Sequence, residues 1–429
     1  MRLERATDAV ISVVCHKTWG FRKSAGTGRV RSCRRMTAFL VASFYLFFLP
    51  SLSSGTTARQ ILDLLKENDS IVVADHSGRI LLEKDADIKR IPASTLKILT
   101  VLAAFHFLGP DYRFITKFYT DDNANLKIRG YGDPLLISEV IEEISSVLAR
   151  KISMCNSVIV DDSYFTNNSA IPGVSDSANP YDAPLSALSA NFNTVFFKRN
   201  RKGEIVSAEP QTPIIPYLID KIGKNHKGDR ISLFGNQHEA AIYTGHLLLH
   251  FLKENGVVCE ETVQCGTILP EDRLIYTYSA ISTIREAAKG LFEFSNNFMA
   301  NQIMLVLGAE VFGPPATLEK GRQAVLDYAD TLGLSGIRVA EGSGISRQNR
   351  LSARDMLRIL KEFEPCRRLL ISRGLTYYKT GTLDGIQTRA GYMETDEGSS
   401  FFVIFLNTPG GDADRLLDLI AGKWGPPGR

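Results

Sequence analysis

The chain has 429 residues, of which 44% are hydrophobic and 23% charged, a mixture that excludes a disordered or fibrous protein and a length that exceeds one compact core. Its net charge of +3 comes from the first 35 residues, where nine Lys/Arg face only Glu4 and Asp8; subtracting that +7 leaves −4 for the rest. A nucleic-acid footprint needs a basic face on the folded part, so no nucleic-acid partner is expected.

The basic stretch ends at Arg34-Arg35. An apolar run from Phe39 to Leu49 follows, then Pro50 and small residues from Ser51 to Gly55. This is the layout of a secretory signal peptide over residues 1–56, with Met36 as an alternative start. The run is shorter than the ~20 apolar residues of a spanning helix. Export to the periplasm or cell envelope is therefore expected. A leader left uncleaved would instead give a peripheral attachment to the membrane.

Thr57 to Asn68 reads as an amphipathic helix with Ile61, Leu64 and Leu65 on one side. Ile71–Ala74 and Arg79–Glu83 read as a hairpin around the turn residues 75–78. A helix from Ser94 to Leu108 lies between Pro92 and Gly109-Pro110, its expected punctuation. From Phe114 to Pro270 the pattern is rich in strands and turns. Helices return over Ile284–Phe292 and Phe298–Leu307, and a third, Ser352–Phe363, follows the loop Glu341-Gly342-Ser343-Gly344. Strands over Tyr377–Thr382, Thr388–Met393 and Phe401–Asn407 and a helix over Ala413–Lys423 complete the chain. The class is α/β (α+β), with a β-rich domain inserted into a discontinuous one: residues 57–120 and 270–429 outside, 121–269 within.

After the leader the cysteines are Cys155, Cys259, Cys265 and Cys366. Cys259 and Cys265 either bridge a small loop or stay free. There is no C-x-x-C, and His246 and His250, at i and i+4, have no acidic or Cys partner close in sequence. No metal and no cofactor are expected.

Three short motifs carry chemistry. Ser94 opens an almost wholly apolar helix, where free N–H groups favour developing negative charge. Lys97 stands one turn on, and burial there disfavours its charged form, so it can serve as base to a Ser94 nucleophile. The plain alternative is a capping serine and a lysine reaching solvent. Ser295-Asn296-Asn297 sits in a helix break, a place where Ser and Asn also serve as caps. Lys379-Thr380-Gly381-Thr382 lies on a strand: Gly381 admits another backbone closely, and Lys379 with the threonine hydroxyls can hold a carboxylate. S-x-x-K, S-x-N and K-T-G in this order, each in a helix, loop and strand setting, form a joint signal much stronger than any one part.

On these residues the chain resembles the penicilloyl-serine transferases. It looks specifically like the D-alanyl-D-alanine carboxypeptidase/endopeptidase family, the type-C low-molecular-mass penicillin-binding proteins. Supporting stretches are 130–135 (GYGDPL), Tyr181-Asp182-Ala183-Pro184 with Asn191-Phe192-Asn193, and Gly342 to Arg347. Lys97 and Ser295 are 295 − 97 = 198 residues apart, as in a family that inserts extra domains there, although the insertion is short for it.

The resemblance implies a β-lactamase/transpeptidase-like catalytic domain and acyl transfer through a serine ester. Ser94 would be the nucleophile and Lys97 its base. Ser295 would relay a proton, and Asn297 would orient Lys97. Lys379, Thr380, Gly381 and Thr382 would bind substrate. The implied partners are peptidoglycan peptides ending in D-Ala-D-Ala and β-lactam antibiotics. Asn296, Asn301 and Glu341 depart from the residues common in the family, and the change is expected only in local hydrogen bonding. Two other readings use the same residues: a serine β-lactamase or esterase, for which no E-x-x-L-N glutamate is seen, and a non-catalytic penicillin-binding sensor, which would usually lack one of the three motifs.

Overall fold

The computed structural model describes residues 58–166, 170–175, 177, 182–223, 229–233 and 238–425; the leader and Tyr181 lie outside these. A six-stranded antiparallel sheet forms the base, in the order Ile371–Arg373, Thr376–Leu383, Ile386–Thr395, Gly398–Leu406, Asp69–Ala74, Ile80–Lys84. Chain start and chain end meet here, with Asp69 opposite Leu406 and Ala74 opposite Phe401. Every position of Asp69–Ala74 is buried, because both faces of the sheet are covered. Alternation along a strand sends Ile71, Val73, Phe402 and Ile404 towards Ile61, Leu416, Leu417 and Ile420. Val72, Ala74, Phe401, Val403 and Phe405 face the opposite way, into the core shared with the helix of Ser94.

That helix is a 3₁₀ turn, Ala93–Leu96, running into an α-helix, Lys97–Leu108, that ends at Gly109 with φ of 84°. Its first eight α-helical residues are all buried, among them Ile98, Leu99, Val101 and Leu102. Burying one such side chain is worth about 1.5–3 kcal/mol, so packing rather than capping holds it. The helices Asn297–Phe312 and Ala353–Phe363 pack against it.

The first helix is shorter than its sequence pattern suggests. It spans Ala58–Leu62, and Leu64 is exposed. Asp69 Oδ2 accepts from Lys66 N (2.9 Å) and Lys84 Nζ donates to the Lys66 carbonyl (2.7 Å), which turns the chain into the strand before another helical turn forms. Leu65 still folds inward.

The middle of the chain forms a five-stranded sheet in the order Val263–Cys265, Val158–Asp161, Leu126–Gly130, Ile115–Thr120, Arg273–Ser279, and a smaller one around Thr194–Arg199. Ile115–Thr120 and Arg273–Ser279 lie outside the expected limits of 121 and 269, yet pair with each other and belong to this sheet. Three helices join these strands, Ser138–Leu148, Pro216–Ile222 and Glu239–Glu254, of which the sequence signals only the last, by the i, i+4 pair His246 and His250. Another unmarked helix, Leu318–Thr331, packs close on Asn297–Phe312. A Cβ on Gly308 would fall 2.7 and 2.8 Å from Lys320 and Gly321 backbone atoms. His246 stacks on Tyr217 at 4.6 Å, and His250, contrary to the expectation of no acidic partner close in sequence, faces Glu254 one helical turn on at 3.3 Å. Among the described residues no three His, Cys, Asp or Glu side chains group to hold a metal. No described helix is long and apolar enough to cross a membrane.

Candidate active site

Ala93, just before the nucleophile candidate, has φ of 48°, a left-handed conformation that costs a residue with a Cβ about 1–2 kcal/mol. Its surroundings hold it there. The Pro92 carbonyl accepts from the hydroxyls of Thr95 (2.7 Å) and Thr388 (2.8 Å). Two glycines flank the bend. A Cβ on Gly344 (φ 84°) would overlap the Ala93 carbonyl, and one on Gly381 would fall 2.9 Å from Ser94 N. The K-T-G strand and the 341–344 loop thus press on the Ala93-Ser94 backbone from two sides, which only glycine permits.

In a 3₁₀ turn, residues i and i+3 eclipse one another. Lys97 Nζ accordingly donates to Ser94 Oγ at 3.0 Å, while Ser94 itself is half-buried. The lysine does not reach solvent; its exposure is 0%. Nζ also donates to Asn297 Oδ1 and to the Ser343 carbonyl, both at 2.7 Å. Burial pulls the Lys97 pKa down to about 7, against an opposing pull from the Glu341 carboxylate. When neutral, as it substantially is near pH 7, Lys97 keeps two N–H for Asn297 and Ser343 and turns its lone pair to the Ser94 O–H, whose proton it can take.

Asn297 begins its helix two residues after Ser295, which closes the preceding helix, Ile284–Phe294, with φ of 53°. Asn296 caps the new helix through its Oδ1, which accepts from Met299 N at 2.9 Å. The cap reading of this motif therefore holds for its middle residue. No hydrogen bond between described residues ties Ser295 to Ser94 or Lys97; it is placed two residues from Asn297, half-buried. The inserted region braces the same helix. Phe192 packs edge-on against Phe298 at 5.8 Å, and Gln302 Nε2 donates to the Ser186 carbonyl at 2.6 Å.

Lys379 is 1% exposed and its Nζ donates to the Thr380 carbonyl at 2.8 Å. Burial, then the neighbouring charges of Lys97 and Arg389, hold its pKa well below the ordinary lysine value. Arg389 stands opposite Thr380 on the next strand and is clamped by both oxygens of Asp414, at 2.9 and 3.0 Å. Gly381 is buried, Thr380 half-buried and Thr382 exposed along the same strand.

Two contributors escape a motif search. The Ser343 carbonyl is a backbone group, invisible in residue type. Glu341 is fully buried and accepts five hydrogen bonds: from Ser343 N (2.7 Å), Ser343 Oγ (2.6 Å), Gly344 N (2.7 Å), Ser346 N (3.2 Å) and Asn349 Nδ2 (2.8 Å). Asn301 Oδ1 adds a bond from Gly342 N at 2.7 Å. The residues that depart from the common family pattern therefore carry the loop that faces Lys97. Besides its place in the family pattern, the sequence signal for Glu341 is an acidic residue beside a Gly-Ser-Gly turn.

Similarity to known proteins runs along most of the chain. A D-alanyl-D-alanine carboxypeptidase of Actinomadura sp. (strain R39) is 22% identical over 93% of this chain and 91% of its own length. The D-alanyl-D-alanine carboxypeptidase DacB of Haemophilus influenzae is 23% identical over 79% and 83%. The crystal structure of penicillin-binding protein 4 from Haemophilus influenzae superposes with a TM-score of 0.65 at 17% identity, covering 85% of this chain and 97% of that one. The model of the D-Ala-D-Ala carboxypeptidase 3 (S13) family matches residues 57–369, and with the penicillin-binding fold and this serine–lysine site the chain belongs to that family.

Proposed function

We propose that Ser94 Oγ, deprotonated by Lys97, attacks the carbonyl of the penultimate D-alanine of a peptidoglycan stem peptide. The chain is a serine-type D-alanyl-D-alanine carboxypeptidase by family. What supports this assignment of roles is one contact set: Lys97, wholly buried, within hydrogen-bond reach of Ser94 and fixed by Asn297 and Ser343. The acyl-serine then forms with release of D-alanine, and water hydrolyses it. On a cross-linked peptide the same steps give endopeptidase activity.

Backbone N–H groups of Ser94 and Thr382 would hold the oxyanion, an interaction made strongest where negative charge develops. Gly381 supports that role by bringing its strand against Ser94 N. Ser295 would pass a proton to the leaving amine. Asn297, which already fixes Lys97, would also orient the substrate backbone. Lys379 and Thr380 would bind the terminal carboxylate, and an anion placed there favours the ammonium form that burial disfavours. A peptide laid along the strand would pair with it by main-chain hydrogen bonds.

We place the enzyme in the cell envelope, delivered by the leader, since its substrate lies there. We also divide the chain into a catalytic unit from residues 57–120 and 270–429 and an inserted unit, 121–269. The joins move so that Ile115–Thr120 and Arg273–Ser279 go with the insertion.

The test is intact-mass spectrometry with benzylpenicillin over time, beside Ser94→Ala, together with D-alanine release from a pentapeptide. The expected result is a long-lived adduct of the drug mass, absent in the variant, and D-alanine release by the wild type alone. Rapid penicilloic acid without an accumulating adduct would assign a β-lactamase instead. Neither adduct nor D-alanine from folded protein would leave a binding role.

A further inference from the structure

We propose that Cys155 and Cys259 form a disulfide that staples the inserted unit. Both were candidates for other states on sequence grounds, Cys259 as the partner of Cys265. The sheet register points elsewhere. Met154–Cys155 and Val258–Cys259 form a two-stranded parallel pair in which Cys259 stands directly opposite Cys155. Directly paired residues have Cα atoms about 5 Å apart, inside the 4.4–6.8 Å that a disulfide spans. Both are free thiols in the structure, and each biases the other's ionisation, Cys155 upward and Cys259 downward.

Cys265 is excluded by the same register. It lies on the next strand, opposite Val160, while Cys259 is opposite Cys155. It therefore faces neither Cys155 nor Cys259 across a strand pair, and bends at Asn156 and Glu261 lie between the two pairs. Cys366 lies on a separate element, the turn Glu364–Leu369, beside Arg285.

The two thiols differ in a way that orders the reaction. Cys155 is 1% exposed and its Sγ donates to the Ser157 carbonyl at 3.3 Å. Cys259 is half-exposed, and the Cys155 thiol beside it and then Lys253 favour its thiolate. Thiolates are the attacking form. Cys259 attacks one sulfur of an external disulfide, forms a mixed disulfide and expels one thiolate. Cys155 then loses its proton and attacks the Cys259 sulfur, breaking the mixed bond and releasing the second thiol. Two protein thiols are oxidised by two electrons, and one small or protein disulfide is reduced to two thiols.

The closed bond ties together the chain just after the helix Ser138–Leu148 and just after Glu239–Glu254, across 259 − 155 = 104 residues. Bridges over long loops constrain the unfolded chain most. None of the groups around Lys97 takes part, so the result is independent of how the active site is assigned.

The experiment treats the reduced full chain with oxidised glutathione, then alkylates, measures intact mass and maps peptides. We expect a loss of 2 Da, a Cys155–Cys259 linked peptide, and a melting temperature raised by roughly 5 °C and lowered again by dithiothreitol. Cys265→Ser should retain all three signs, whereas Cys259→Ser, at a half-exposed position, should lose the linked peptide and the dithiothreitol-sensitive shift. A Cys259–Cys265 peptide, a persisting glutathione adduct on Cys259, or unchanged thiols would each overturn the proposal.

Discussion

Lys97 acts as a base only when neutral, and its charge is set by what lies within a few ångströms. Asn297→Asp tests this with almost no change of shape. Asn297 Oδ1 sits 2.7 Å from Nζ, so the variant puts a carboxylate at hydrogen-bond distance in a buried site. An opposite charge at that range favours the ammonium form and moves its titration up by about two pH units. In the wild type, with a Lys97 pKa of about 7, half the enzyme carries the neutral base at pH 7. In the variant about 1% does, so acylation by benzylpenicillin at pH 7 should fall about 50-fold. By about pH 9.5 most of Lys97 is neutral again, so the deficit should shrink by about 30-fold, leaving only the pH-independent cost of the lost Asn297 amide donor. The assay is the second-order acylation constant, from adduct mass against time, across pH 5.5 to 9.5. An unmoved profile, or a loss equal at every pH, would refute Lys97 as the titrating base.

Three further outcomes follow from the same geometry. Glu341→Gln sets an amide N–H₂ against N–H donors that now share two carboxylate oxygens, so the melting temperature should drop by several degrees. The residual acylation should have its acid limb at lower pH, because the charge that favours the Lys97 ammonium is gone; a limb at higher pH would contradict the assigned sign. Gly344→Ala should cut acylation at least about 100-fold and destabilise the fold by about 2–4 kcal/mol, since its Cβ meets the Ala93 backbone rather than a side chain; wild-type rates would show that the bend at Ser94 is dispensable. Asp133 is 4% exposed, and burial raises its pKa to about 6. A raised carboxyl pKa gives stability below the unfolded value near 4 that is lost as pH rises through 6, so Asp133→Asn should gain about 1–3 kcal/mol at pH 7.5 and almost nothing at pH 4, read by denaturant melts at both.

The catalytic motifs were legible because each depends on residue type at fixed spacing. A lysine three residues after a serine is ambiguous alone, since a cap and a solvent-reaching lysine fit it too, and S-x-N and K-T-G in order and setting resolve it. The sheet was legible for a related reason: Ile71–Ala74 and Phe401–Leu406 are apolar at every position, which a doubly covered strand requires. What escaped depends on tertiary partners. The helix Leu318–Thr331 buries Gly321, Ala324, Val325, Tyr328 and Ala329, three of them small, and Gly308 and Gly321 let it approach its neighbour closely. The sheet of Ile115–Thr120 was not legible because the strand alternates like any other, and only its pairing with Arg273–Ser279 assigns it.

Glu341 shows why the remainder of a site hides from sequence. Its five donors come from Ser343, Gly344, Ser346 and Asn349, all within eight residues, so the carboxylate organises one loop rather than touching Lys97. That loop then offers Lys97 a backbone carbonyl and offers the Ala93 bend a glycine. Each consequence is one step removed from the side chain that causes it. The effect on the base is therefore twofold and opposed: burial of the whole cluster lowers the lysine pKa, and the buried carboxylate limits how far. A site built this way has its pKa fixed by packing density and by one charge held at a distance. A motif that names only the serine and the lysine therefore describes the reaction but not the pH at which it runs.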